Sequence, residues 1–393
     1  MVHRNIEKRL HALIRQYPVL MLTGPRQSGK TTLCRMALPK KAYVSLEDPE
    51  NREYAISDPK GFLAQYQDGV IVDEAQHVPD LFSYIQVIVD EHKKNGMFVL
   101  TGSQNFQLSD KINQSLAGRA AVLKLLPFSI DEIRPDIEKL GLDEVMRHGF
   151  YPRIYDEKLD PHDALSFYFE TYVERDVRAL LQIKNLSSFQ KFVRLCAGRV
   201  GGILDLSGLG NEAGVSHTTA REWMSLLEAS YIVFLLPPFY RNYNKRVIKS
   251  PKLYFYDVGL AAYLLGIESA KQMGRDPLRG GLFENLVVME FLKKRYDQSN
   301  QSNLFFFRDS NKNEVDLILT AGEKLWAVEI KSGQTVVPDF FKGLDYFDGI
   351  NKEGVVRKLL VYGGAQEQKR PRAQVVPWNK LNVIFSENLY NQG

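Results

Sequence analysis

Cysteine is almost missing from this chain. Only Cys34 and Cys196 occur among 393 residues, with no paired spacing, which excludes a disulfide framework and a cysteine zinc site. Such scarcity fits a reducing compartment. Long apolar runs are missing too: none approaches the ~20 residues of a membrane-spanning helix, so no membrane partner is expected. The opening Met1-Val2-His3-Arg4 leads directly into an amphipathic pattern with Ile6, Leu10, Leu13 and Ile14 on one side. That is no secretory leader, and a cytoplasmic location is expected. Internal repeats are absent, and no low-complexity stretch exceeds Asn300-Gln301-Ser302-Asn303. Nor does one sign of charge dominate. The 51 Lys and Arg against 47 Asp and Glu leave +4, compatible with nucleic acid without demanding it. What remains is an ordinary globular composition, 44% hydrophobic and 25% charged. The length implies two or three domains.

The most specific stretch is Gly24-Pro25-Arg26-Gln27-Ser28-Gly29-Lys30-Thr31, a full G-x-x-x-x-G-K-[ST] P-loop. The apolar run Val19–Thr23 before it reads as a buried parallel strand. Thr32–Leu38 after it reads as a helix stopped by Pro39. Glycines let backbone N–H groups approach phosphate oxygens at a helix N-terminus, whose dipole favours anions. Lys30 is expected on the β- and γ-phosphates, and the Thr31 hydroxyl on Mg²⁺. Gly69-Val70-Ile71-Val72-Asp73-Glu74 is an apolar strand ending in two acids, the Walker B pattern. Asp73 is expected to hold the Mg²⁺ shell and Glu74 to polarise the attacking water, which favours hydrolysis over a small-molecule kinase. A third apolar strand ends in Thr101-Gly102-Ser103-Gln104, which makes Ser103, or else Gln104, a sensor of the γ-phosphate. Arg119 is an arginine-finger candidate, with a surface salt bridge as the alternative. Arg26 adds a positive charge near the phosphates.

With these residues in view, the chain resembles the AAA-type P-loop ATPases of bacteria and archaea whose loop reads Gly-Pro-Arg-x-x-Gly-Lys-Thr-Thr. The matching pieces are Gly24 to Thr32, Val72 to Gln76, Leu100 to Ser103 and Leu116 to Arg119, and the likeness continues through Tyr172-Val173-Glu174-Arg175-Asp176. The resemblance implies an ATPase core followed by a C-terminal domain of unknown function that contains a nuclease-like module.

Strands and helices alternate through residue 126, ending in an expected strand Leu123–Leu126, so a parallel sheet with helices on both faces is expected. Residues 1–135 form the ATPase core in this reading, and 136–200 a helical linking region. Residues 201–265 read as a winged helix. A first helix ends in a glycine turn, Ser216 caps a second helix from His217 to Glu228, and Tyr231–Leu236 and a basic wing at Tyr240–Arg246 follow. A DNA-reading helix would present His217, Thr218, Thr219 and Arg221, with Lys245 and Arg246 on phosphates; packing within the protein is the alternative. Residues 266–393 read as a restriction-endonuclease-like α/β domain. Asp316 lies on one alternating strand, and Glu329 and Lys331 share a face of the next, giving D…E-x-K. Asp316 and Glu329 would bind Mg²⁺, and Lys331 would orient water. Glu284 lies among Val288, Phe291 and Leu292 on an apolar helix, where an unpaired carboxylate is costly and a metal or another cation would remove the cost.

The function expected from sequence is therefore an ATP- and Mg²⁺-dependent ATPase, acting as a homo-oligomer with Arg119 in trans. It would be coupled to a module that handles or cleaves DNA. The alternative is a nucleotide-dependent switch or scaffold that binds a protein or nucleic acid and cuts nothing.

Overall fold

The computed structural model describes residues 2–103, 116–177, 185–240, 249–322, 324–351 and 354–385. Gln104 and the wing residues Arg241 to Arg246 lie outside the described residues. The chain forms two compact units: residues 1–128 with 229–231 and 295–301, and residues 129–228 with 232–294 and 302–393.

The first unit is built on a fully parallel five-stranded sheet. Its strands are β1 (Val19–Thr23), β2 (Ala42–Ser45), β3 (Val70–Asp73), β4 (Phe98–Gly102) and β5 (Ala120–Lys124), in the order β2-β3-β4-β1-β5. Alternation sorts β1 between two cores. Val19 and Met21 join Val72, Phe98 and Leu100 on one face, while Leu20 and Leu22 join Ile71 and Val99 on the other. Helices α1 (Glu7–Ile14) and α2 (Lys30–Ala37) cover the second face through Leu10, Leu13, Leu33 and Cys34. Helices α3 (Pro49–Ser57), α4 (Pro59–Ala64) and α5 (Leu81–His92) supply the first. Because β4 lies between β1 and β3, its carboxyl end falls between the loop after β1 and the acids after β3. Ligands of parallel sheets bind at this edge. The last strand begins earlier than the apolar run suggests, at Ala120. It leaves the ladder at Leu125, whose N–H turns to Thr23 O.

The second unit begins with helices such as α6 (Leu142–His148), α7 (Pro161–Tyr168) and α8 (Leu186–Ala197). Next come α9 (Leu206–Ala213), capped by Asp205 and closed by Gly214 at φ 73°, and α10 (His217–Ala229). The Ser216 hydroxyl accepts the Thr219 N–H at 3.1 Å, as an N-cap does. Strands β6 (Val233–Leu236) and β7 (Lys252–Phe255) pair antiparallel, and α11 (Val258–Leu264) follows. A 19-residue helix, α12 (Arg279–Asp297), leads into a six-stranded mixed sheet. Its strands are β8 (Leu304–Arg308), β9 (Glu314–Ala321), β10 (Lys324–Lys331), β11 (Arg357–Tyr362), β12 (Gln368–Lys369) and β13 (Gln374–Pro377). The parallel pair β10–β11 is bridged by α13 (Lys342–Ile350), which buries Leu344 and Phe347 against Ile318, Ala327 and Leu360.

Candidate functional site

Two constellations stand in the two units. In the first, the P-loop turns sharply between β1 and α2. Gly24 sits at φ 147°, and a Cβ there would meet Leu125 O at 2.1 Å, so only glycine fits. Gln27 at φ 61° and Gly29 at φ 89° turn successive backbone N–H groups in a left-handed arrangement suited to an anion. Lys30 is buried, and its ammonium donates to Gly24 O at 3.1 Å and Pro25 O at 2.8 Å. Burial lowers its pKa, with Glu74 and Asp73 pulling the other way. The Arg4 guanidinium, which carried no role in the sequence, braces the loop from outside by donating to Ser28 O at 2.8 Å and Leu126 O at 2.7 Å.

Asp73 is the hub of a hydrogen-bond network beside the P-loop. Its Oδ2 accepts from Thr31 Oγ1 and from Tyr43 Oη, each at 2.8 Å, and its Oδ1 accepts from Thr101 Oγ1. Thr31 and Asp73 were paired on sequence; Tyr43 and Thr101 were not, since each comes from a different strand. Glu74 takes φ 53°, a left-handed conformation costly for a non-glycine residue. Its Oε2 accepts from Ser103 Oγ at 3.2 Å and from Gln76 Nε2. Ser103 therefore stands beside Glu74, as its position after β4 suggests. The Ser28 hydroxyl is fully buried without a hydrogen-bond partner, an orphan inside the phosphate cradle. The residues thus fit a nucleoside triphosphate with Mg²⁺. Pro25 is buried, Arg26 pairs with Glu47 at 3.5 Å, and Thr32 is exposed.

Arg119 stands elsewhere. It precedes β5, whose first residue Ala120 pairs with Val19, whereas the P-loop follows Thr23 at the other end. Its guanidinium holds Asp90 through Nε at 2.6 Å and Nη2 at 2.8 Å. It does not reach the phosphate seat of its own chain. A groove of about 960 Å³ at that same sheet edge, lined by Leu63, Tyr66, Tyr84, Val87, Ile88 and Phe98, is likewise remote from the chemistry.

The second constellation gathers Glu284 from α12, Glu314 and Asp316 from β9, and Glu329 and Lys331 from β10. Pairing of β9 with β10 ends at Leu317–Val328, and the Asp316 Oδ2 instead accepts the Ile330 N–H at 2.8 Å. Lys331 lies 3.2 Å from Asp316 Oδ2 and 2.6 Å from Glu329 Oε1. The D…E-x-K residues are brought together. Carboxylate oxygens of Glu284, Glu314 and Asp316 lie within 4.8 Å of one another. Sequence reading missed two members of this cluster, Glu314 and, between the acids, Lys252. Its ammonium, 2% exposed, sits 2.7 Å from Glu284 Oε1, 2.5 Å from Glu314 Oε1 and 3.9 Å from Asp316 Oδ1. Burial works against this ammonium, but Glu284, Tyr254, Asp316 and Glu314 outweigh it and hold its pKa well above the usual lysine value. Burial pushes Glu284 up to about 6, Lys252 opposing and Asp316 reinforcing. Burial, then Asp316, push Glu329 up to about 8 against the pull of Lys331. Arg308 takes the other Glu314 oxygen at 2.8 Å. Lys252, Arg308 and Lys331 already pair with these acids, which opposes a divalent ion at the cluster as it stands.

On α10, His217, Thr218 and Arg221 are exposed and Thr219 half-buried, while Ala220, Trp223 and Leu227 face the interior. Among the described residues no helix is long and apolar enough to cross a membrane.

Comparison with known proteins gives three matched segments. Residues 16–134 match the AAA domain family, residues 139–271 a domain of unknown function (DUF8612), and residues 279–381 another (DUF4143). An uncharacterized protein of Mycobacterium tuberculosis is 30% identical over 336 residues, 84% of this chain and 74% of the relative. Its counterpart in Mycobacterium bovis matches equally. Among solved structures, the Walker-type ATPase PABY2304 of Pyrococcus abyssi has a TM-score of 0.44 at 14% identity, covering 66% of this chain and 95% of that one. The RuvB Holliday junction branch migration motor of Thermotoga maritima has a TM-score of 0.29 at 16% identity, covering 60% and 90%. With its P-loop, its Asp73-Glu74 pair and the two domains of unknown function that follow, this chain belongs to the family of AAA-domain P-loop proteins that includes these uncharacterized mycobacterial relatives.

Proposed function

We propose that this protein is a Mg²⁺-dependent ATPase whose nucleotide cycle switches a binding scaffold carried by its second unit. The observation that carries the reading is the 2.8 Å contact between Thr31 Oγ1 and Asp73 Oδ2. It joins the P-loop hydroxyl to the Walker B acid where nucleotide and ion would share a seat. Bound Mg²⁺ would supply Lewis-acid charge to the β- and γ-phosphate oxygens. Lys30 exchanges its two loop carbonyls for phosphate oxygens, and backbone N–H groups from Gln27 to Thr31 cradle the anion. Glu74 orients the attacking water and takes up its proton, held in position by Ser103 and Gln76. Catalysis of this kind is positioning plus electrostatics.

ATP hydrolysis with Mg²⁺ is expected, falling about 10²–10³-fold in K30A. E74Q should hydrolyse about 10²–10⁴-fold more slowly while still binding ATP. A chain that neither binds nor hydrolyses ATP would overturn the reading.

For the second unit we read residues 201–265 as a winged helix and residues 266–393 as a restriction-endonuclease-like fold used for binding rather than cutting. The exposed His217, Thr218 and Arg221 support a partner-facing α10, with DNA as the partner to test first. Lys252, an added cation among Glu284, Glu314 and Asp316, favours a scaffold over a nuclease. Plasmid and single-stranded DNA, incubated with Mg²⁺ or Mn²⁺ with and without ATP, test this. Cleavage that D316A abolishes would replace the scaffold reading by the nuclease one.

A further inference from the structure

A lysine this well buried needs anions at hydrogen-bond distance, because an ammonium loses its hydration on leaving water. Lys252 finds them on residues far away in sequence: Glu284 on α12, Glu314 and Asp316 on β9. Its strand is fastened to α12 by two further devices. Tyr254 Oη donates to Glu284 Oε1 at 2.5 Å. Asn285 accepts the Phe255 N–H at 2.6 Å and donates to Phe255 O at 2.9 Å. The ammonium is thus delivered by a docked strand and is not a surface chain that happened to fold inward.

Its position is the telling point. A divalent ion takes carboxylate oxygens at about 2.0–2.6 Å. Carboxylate oxygens of Glu284, Glu314 and Asp316 lie within 4.8 Å of one another, and an oxygen of each also faces the Lys252 ammonium, at 2.7, 2.5 and 3.9 Å. Both cations cannot use them without lying side by side in a buried site. Charge gives the same answer: Lys252, Arg308 and Lys331 face Glu284, Glu314, Asp316 and Glu329, leaving little anionic excess for an ion of charge two.

We propose that the Lys252 ammonium is the resident cation of this acidic cluster, occupying the seat a divalent ion would need and keeping the second unit free of metal while β7 stays docked. The proposal goes beyond the ATPase reading and does not depend on it, since its readout is metal uptake in the second unit.

The test uses the full chain carrying D73N, which silences the magnesium seat of the P-loop, without nucleotide. Mn²⁺ is the probe, followed by loss of its free electron-spin resonance signal and by thermal unfolding. With Lys252 intact, no uptake and no shift in Tm are expected. K252M should unfold at lower temperature, take up one Mn²⁺ and recover stability with it, and adding D316N should abolish the uptake. K252R, which keeps the charge, should stay blind to Mn²⁺. Uptake by the Lys252-intact chain that D316N removes would overturn the proposal, as would a folded K252M that ignores Mn²⁺. If K252M fails to fold, the Lys252-intact arm still decides: uptake sensitive to D316N refutes the proposal, and its absence upholds it.

Discussion

Glu329 keeps its proton to about pH 8 because burial and the Asp316 carboxylate both penalise its ionised form. Its folded pKa lies above the ordinary value of 4.5, so folded chains hold a proton that unfolded chains release between those limits. The stability carried by this carboxyl is therefore whole below about pH 4.5 and is lost as pH rises through about 8. Replacing it by glutamine removes the titration. Urea unfolding of wild type and E329Q at a series of pH values should show wild type losing stability relative to the variant across that window. Parallel curves would mean that Glu329 ionises normally. Single residues also mark how far sequence could be read. Lys30, Thr31, Asp73 and Glu74 were legible because each lies in a contiguous motif whose spacing is its geometry. Lys252 was not, because its partners lie 32 to 64 residues downstream and no local pattern joins them. A faint signal existed: in Lys252-Leu253-Tyr254-Phe255 a lysine shares a strand face with Tyr254 in an otherwise apolar run.

Elements obey the same division between local and distant causes. Helix α10 was legible from its Ser216 cap, and β1 from an apolar run that fits burial on both faces. Strand β5 was misjudged by several residues, since its first residues, Ala120 and Ala121, are small and Val122 is exposed. Only pairing with β1 fixes where it starts. The docking of β7 on α12 is a non-local event held by Asn285, whose amide satisfies both backbone groups of Phe255. N285A leaves a buried N–H and a buried C=O without partners, at about 1–3 kcal/mol each. Denaturant unfolding of this variant should show the loss in the second unit, and amide exchange at Phe255 should quicken. Exchange unchanged from wild type would assign the strand's attachment to Lys252 and Tyr254 instead.

For the whole molecule, the expectation of a self-assembling ATPase rests on Arg119. Within one chain this residue faces away from the phosphate seat and holds Asp90. Any part it plays in hydrolysis must come through a second copy. ATP turnover per chain should then rise with protein concentration in wild type and stay flat and low in R119A. An R119A enzyme as fast as wild type at every concentration would end that idea and leave the Asp90 pair as a surface brace.

Family matches part the chain between residues 271 and 279, an inviting place to cut. The knife would leave Lys252 on one piece and Glu284, Glu314 and Asp316 on the other. The excised C-terminal piece would be an ion exchanger that the intact protein is not, hungry for any counter-ion in the buffer. Metal uptake or strand nicking by such a piece would report on the scissors.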